Sequence, residues 1–375
     1  MHCLAAYRKV SRGLAPLRPA LLLCMVLAAL AFPATPPAAA ALPDERLGER
    51  PADLLWRDEP IAGRPLPMAA LRRLYAGRDF RPLWMTSARL NARGQIALDV
   101  LTGSFDEGLD PGSYFSNEIQ RRLVADTNAG ETPAAARPAP DAVELELLLS
   151  AGLLAYVNDV AYGRIEPRES APQLFRYPEG PDPVAVLEGL LTAPDLAAAF
   201  AGLPPPHAGY RRLKAALAAY RAIADRGGWP TVLPAPWGGP DDALFDDPLE
   251  AAVKRAQARH GLAVDGIVGP RTLAALNVSV EQRSRQIAIN MERWRWLPAE
   301  LGARYLFINA AAFRLSVFEQ GEERFGMSVI VGRPYRRTPL FRGELSYIVL
   351  NPTWTVPPSI ARKDILPKLR HDTAY

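Results

Sequence analysis

Tyr305-Leu-Phe-Ile-Asn309 and Phe313-Arg-Leu-Ser-Val-Phe318 decide how the end of the chain folds. Branched and aromatic residues alternate with period two, which predicts two half-buried strands. Glu319-Gln-Gly-Glu322 reads as the hairpin turn, because Gly321 tolerates the positive φ of a tight reversal. The return strand is expected at Met327-Ser-Val-Ile-Val331, ended by Gly332, and a further strand at Leu345-Ser-Tyr-Ile-Val-Leu350. Asn351-Pro-Thr-Trp-Thr-Val-Pro-Pro358 carries three prolines, so it is an ordered loop rather than a central strand or helix interior. Pro358 then opens a short helix that Pro367 bends or ends.

Several of these residues carry a resemblance. Val331-Gly-Arg-Pro334, Thr338-Pro339, Asn351-Pro-Thr-Trp354, Val356-Pro-Pro358 and Ala361-Arg-Lys-Asp-Ile-Leu-Pro367 resemble the front half of the catalytic domain of bacterial L,D-transpeptidases. The likeness is to the large periplasmic type that adds a scaffold region and a peptidoglycan-binding module. It implies a cysteine thiolate that attacks a peptide stem of peptidoglycan and passes the acyl group to a neighbouring stem, giving 3→3 cross-links. In that family the nucleophile lies in a Ser-His-Gly-Cys type motif, which this sequence does not contain.

The two cysteines, Cys3 and Cys24, both fall in the N-terminal leader. Thiolate chemistry needs a thiol of lowered pKa and a base, so the chain as given is expected to be inactive. Two explanations stand: a fragment of a longer protein, or a truncated, non-catalytic relative. An open sheet edge near Tyr375 favours the fragment.

Residues 1–41 read as a secretory signal. Arg8, Lys9, Arg12 and Arg18 form the basic start, an apolar run follows from Ala20 to Phe32, and Ala38-Ala-Ala-Ala41 supplies small residues for cleavage. An uncleaved leader would instead tether the chain to a membrane. Removing it takes away four basic and no acidic residues, so the overall charge of +4 becomes zero and no basic block remains for nucleic acid. A mature chain without cysteine must hold each domain by its own apolar core. The expected location is the periplasm of a Gram-negative type envelope.

The expected architecture is multidomain α+β: a helical scaffold domain (45–235), a small helical peptidoglycan-binding module (241–278), a connecting helix (279–300) and an incomplete, mostly β catalytic domain (301–375). In the scaffold, Met68, Leu71, Leu74 and Tyr75 repeat at helical spacing, and helical signals extend over 54–104. Phe80, Leu83 and Trp84 read as core anchors beneath a turn. Residues 128–140 read as a flexible insertion. Residues 143–162 are apolar nearly all round, as the central helix of a domain must be. Helices are expected over 183–200 and 207–226, the second stopped by Gly227-Gly-Trp-Pro230. The connecting helix, with Met291, Trp294 and Trp296, is expected to pack the module against the catalytic sheet.

Leu249, Ala252, Val253 and Ala256 form an apolar stripe. The tight loop Leu262-Ala-Val-Asp-Gly-Ile-Val-Gly269 follows, and Pro270 begins a new helix. The pattern resembles a three-helix peptidoglycan-binding module, which points to Asp265, Gly266, Gly269, Pro270 and Thr272. The same residues equally well only shape the loop.

Trp354, in its proline frame, is either a flat wall for a peptide stem or a lid on the core beneath; Asn351 and Arg333 stand beside it as substrate-binding candidates. Arg336 and Arg337 offer partners for stem carboxylates. His207 reads as a cap or surface residue, and His371 lacks a thiol to serve as base. The four histidines lack metal-ligand spacing and no phosphate loop is present, so no metal or cofactor is expected. The partners implied are peptidoglycan stems and glycan. Two functions follow: a cysteine L,D-transpeptidase, or a non-catalytic peptidoglycan-binding protein of the envelope.

Overall fold

The computed structural model describes residues 54–372, except 57–59, 62, 87–88, 129–139, 168–179, 233–244 and 334. Residues 1–41, expected as a leader, and most of the 128–140 and 230–242 segments lie outside the described residues. The described architecture is multidomain α+β, with helices first and a small antiparallel sheet near the end.

Helix α1 (Met68–Ala76) turns Leu71, Leu74 and Tyr75 inward. It leads to Leu83 and Trp84, both buried as expected, with Phe80 packed against them. Where the sequence suggested only helix, a two-residue ribbon intervenes, β1 (Met85–Thr86) paired with β2 (Arg89–Leu90). Asn91 then caps α2 (Ala92–Gly103) by accepting from the Gly94 amide. A ribbon this short leaves no readable period. Helix α3 (Ser116–Asn128) follows, and then α4 (Pro140–Tyr162), with Leu147, Leu148, Leu149, Leu153, Val157 and Val160 fully buried. An apolar helix surrounded by others is the core of the scaffold domain.

Two polar residues in α4 are spent inward. Glu146 accepts from the Leu83, Trp84 and Met85 amides at 2.6, 2.9 and 2.9 Å and from the Tyr75 hydroxyl at 2.6 Å. Ser150 takes the Trp84 indole N–H at 2.8 Å. These bonds satisfy the backbone amides that the turn before β1 leaves open.

The expected helix 183–200 is two helices, α5 (Pro183–Leu191) and α6 (Leu196–Ala201), because Asp195 caps the second by accepting from the Ala198 amide. Helix α7 (Ala208–Ala224) precedes the 228–276 region, where α8 (Asp247–Arg259) and α9 (Pro270–Leu276) flank the glycine loop. Helix α10 (Val280–Arg295) opens with a capping box between Ser279 and Gln282. Its broad partner is α7 rather than the sheet, with Met291 buried against Tyr210 and Leu217. Toward the sheet, Trp294 stacks on Phe307 with ring centroids 5.7 Å apart.

The sheet runs β3 (Arg304–Asn309), β4 (Arg314–Glu319), β5 (Glu322–Ser328), all antiparallel. Gln320 and Gly321 both take positive φ, 52° and 80°, so a two-residue turn starts the return strand at Glu322, earlier than the apolar run at Met327 suggested. Glu322, Glu323 and Arg324 hid that start. They pair by charge, Glu323 with Arg314 at 2.6 Å and Arg324 with Glu322 at 3.2 Å.

Residues 345–350 form no strand among the described residues and are exposed throughout. A run of branched and aromatic residues becomes a strand only with a pairing partner, and among the described residues no strand pairs with this one. Residues 358–371 are helical, with a wide π turn at Ala361–Ile365. Pro367 therefore does not end the helix. It sits in the first turn of Leu366–His371, just after the wide turn, where its missing N–H costs least.

Candidate functional site

One face of the sheet is closed and the other open. Register places Leu306, Val317 and Phe325 side by side, and Ile308, Leu315 and Met327 beside them. Leu306, Ile308, Phe325 and Met327 are 46–56% exposed, an apolar patch of the kind that marks a contact surface. The opposite face carries Tyr305 stacked on Phe318, the nearly buried Ser316, and Phe307 beneath Trp294.

Beyond the sheet, residues 332–338 close on themselves. The Gly332 amide donates to the Thr338 hydroxyl at 2.8 Å, and a Cβ at 332 would collide with the Arg336 carbonyl. Only glycine fits that approach. Arg336 reaches forward to hold Asp364 through both guanidinium nitrogens, one bond at 2.7 Å. The pair lowers the pKa of Asp364. The sequence offered Arg336 to a stem carboxylate, but its carboxylate is internal. A link across 28 residues has no local pattern by which the sequence could announce it.

Arg333 donates to the Tyr335 hydroxyl at 3.0 Å, Asn351 adopts left-handed φ of 49°, and Trp354 is 70% exposed. Among the described residues no hydrogen bond or ion pair joins these three. Trp354 covers no core in this arrangement. His371 is exposed at the end of its helix.

In the 228–276 region the motif residues meet at Gln257, which is 1% exposed. Its amide nitrogen donates to Asp265 at 2.7 Å, the Ile267 carbonyl at 2.9 Å and Thr272 at 3.3 Å, and its oxygen accepts from the Gly266 amide at 2.9 Å. Asp265 also accepts from the Ile267 amide, the chief cause of its lowered pKa. Gly266 needs its φ of 78° and has no room for a Cβ beside Glu250. Gly269 and Pro270 start α9. The large apolar side chains the loop exposes are Val264 and Ile267, beside the exposed Asp265. Gln257, missed in the sequence, lies one turn before the end of α8, where glutamine reads as a surface residue.

A polar strut joins α10 to the scaffold. Arg295, 2% exposed, pairs with Glu292 at 2.9 Å and donates to the Tyr210 hydroxyl at 3.0 Å and the Glu107 carbonyl. Glu292 accepts from the Arg164 and Ile165 amides at 2.7 and 3.1 Å. His207 occupies the cap position of α7 without a side-chain capping bond. It leans on Trp294 at 5.5 Å, and burial lowers its pKa.

The comparisons match this architecture in three blocks. A scaffold-domain family covers residues 69–217, a putative peptidoglycan-binding domain 228–276, and an L,D-transpeptidase catalytic domain 303–375. Together, and in this order, the three blocks support the L,D-transpeptidase family for this chain. It is similar to a putative L,D-transpeptidase of Haemophilus influenzae, 33% identical over 92 residues, which are 24% of this chain and 18% of that protein. The match thus spans less than a fifth of the curated relative's length. The peptidoglycan-related matches point to an extracytoplasmic place. No helix among the described residues is long and apolar enough to cross a membrane.

Proposed function

We propose that this chain supplies the scaffold, the wall-binding module and the front sheet of a periplasmic peptidoglycan L,D-transpeptidase, which makes 3→3 cross-links by cysteine acyl transfer. The observation that carries this reading is the order of the three matched blocks along one chain, with α10 built into the scaffold and Trp294 reaching the sheet. Both cysteines precede residue 25, so no thiol lies in the segment that follows the leader. Under this proposal the segment binds peptidoglycan and presents Trp354, Asn351 and Arg333 to the peptide stem, and the nucleophile is supplied from outside residues 25–375.

Two measurements test it. The leader-free polypeptide should sediment with purified peptidoglycan sacculi, and its intact mass should not change on incubation with a carbapenem. Failure to sediment removes the wall-binding part. A covalent adduct, or cross-linked muropeptides formed by this polypeptide alone, removes the thiolate part.

A further inference from the structure

A groove on the scaffold lies outside everything assigned above. Residues 204–206, three prolines between α6 and α7, form one wall, and one stripe of α7 forms the other, enclosing a cavity of about 700 Å³. Arg211, Lys214, Ala215, Ala218 and Arg221 fall on that stripe at three- and four-residue spacing, so the floor is methyl groups and the ends are guanidinium groups. Ten residues of helix separate Arg211 from Arg221, about 15 Å along the axis. That distance is the length of an extended peptide of about four or five residues.

Both guanidinium groups are held in place by neutral partners. Arg211 donates to the Pro206 carbonyl at 2.6 Å, and Arg221 donates to the Phe105 carbonyl while lying 3.3 Å from the Phe105 ring centroid. Among the described residues neither forms an ion pair. Lys214 is different, since it is matched by Glu107, and Asp106 is the acid that lines the groove near Arg221. Two positioned cations over a narrow floor of small side chains suit a short extended peptide with carboxylates toward both ends and methyl-sized side chains between.

We propose that this groove binds the peptide stem of peptidoglycan, as a second wall contact on the scaffold, distinct from the 228–276 region and from the Trp354 loop. The proposal rests on the peptidoglycan reading above. The stem supplies its carboxylates to Arg211 and Arg221 and its alanyl methyls to Ala215 and Ala218.

Isothermal titration of the full-length protein with the free tetrapeptide stem tests it, using a carboxylate-amidated stem as control and sacculus sedimentation in parallel. Arg211→Ala, at the exposed end of the stripe, and Arg211→Ala/Arg221→Ala should weaken stem binding by about three- to tenfold per guanidinium. Amidation of the stem should do the same, while the unchanged 228–276 region keeps the variants on sacculi. Should Arg221→Ala perturb the fold by circular dichroism, the Arg211→Ala variant and the amidated stem still decide. Equal stem binding by wild type and variants, or sedimentation without any stem binding, overturns the groove and leaves the peptidoglycan reading standing. Absence of both sedimentation and stem binding overturns both.

Discussion

Replacing Arg295 by methionine should loosen the joint between α10 and the scaffold more than any surface change nearby. Methionine keeps most of the length and apolar volume of the arginine stem, so the main loss is electrostatic. Glu292 would remain buried, holding the Arg164 and Ile165 amides but without its counter-charge. Breaking a buried ion pair from one side costs about 3–5 kcal/mol. The lost bonds to Tyr210 and the Glu107 carbonyl add to this, while the Arg295 Nε, buried without a partner, is relieved, an offset of about 1 kcal/mol. The net expectation is a loss of about 3 kcal/mol, a large share of the roughly 5–15 kcal/mol that holds a domain. Urea unfolding followed by tryptophan fluorescence measures it, since Trp294 and Trp296 flank the site. Adding Glu292→Gln should recover part of the loss, a coupling of about 1–3 kcal/mol in a double-mutant cycle. A loss below about 1 kcal/mol for Arg295→Met, or strict additivity with Glu292→Gln, would show that the strut carries no charge-dependent load.

Three further outcomes follow from the same geometry. Glu146→Gln replaces one acceptor oxygen by an NH2 donor facing groups that need an acceptor, and should lower stability by about 3 kcal/mol in thermal unfolding. Burial raises the Glu146 pKa, so its contribution is full at acid pH and falls as pH rises through the raised value; the glutamine variant should lack that slope. Burial lowers the His207 pKa, so the stability it contributes is present above its ordinary value and is lost as pH falls below it. His207→Phe should flatten the acid side of a melting-temperature profile between pH 7.5 and 5, and an unchanged profile would remove His207 from that role. Phe325→Ser together with Met327→Thr should leave stability within about 0.5–1 kcal/mol and cut binding of a hydrophobic dye; undiminished dye binding would mean that the open sheet face is not the exposed apolar surface.

The scaffold core was legible because α4 is apolar on every side, and only burial makes such a helix sensible. The hairpin turn was legible from Gly321. The strand after it was not, because Glu322, Glu323 and Arg324 satisfy a sheet edge by charge rather than by alternation. Conversely, residues 345–350 are rich in strand-favouring residues and still form no strand among the described residues, since pairing is a property of two segments and one sequence window holds only one. The Arg336–Asp364 link and the Glu292–Arg295 strut were illegible for a related reason. The Asp364 partner lies 28 residues away and the partners that tie the strut to the scaffold lie 85 to 188 residues away, beyond any periodicity.

The 228–276 loop shows how motif residues can be spent on shaping a loop. Asp265, Gly266 and Thr272 look like an exposed polar motif, yet each is committed to Gln257 or to the loop's own backbone. Thr272 is 5% exposed, and a side chain that is already satisfied and buried gains little by meeting a ligand. The motif therefore fixes where the loop stands, and the prediction is that Val264 and Ile267, the large apolar side chains exposed beside Asp265, meet the wall. Ile267→Ser should then weaken sacculus binding with no loss of fold, whereas Gln257→Ala should unfold the loop first and weaken binding only as a consequence. The two separate on one measurement: amide hydrogen exchange at Gly266 and Ile267, unchanged in the first variant and fast in the second. Slow exchange in both, with binding lost only in Gln257→Ala, would return the contact to the motif itself.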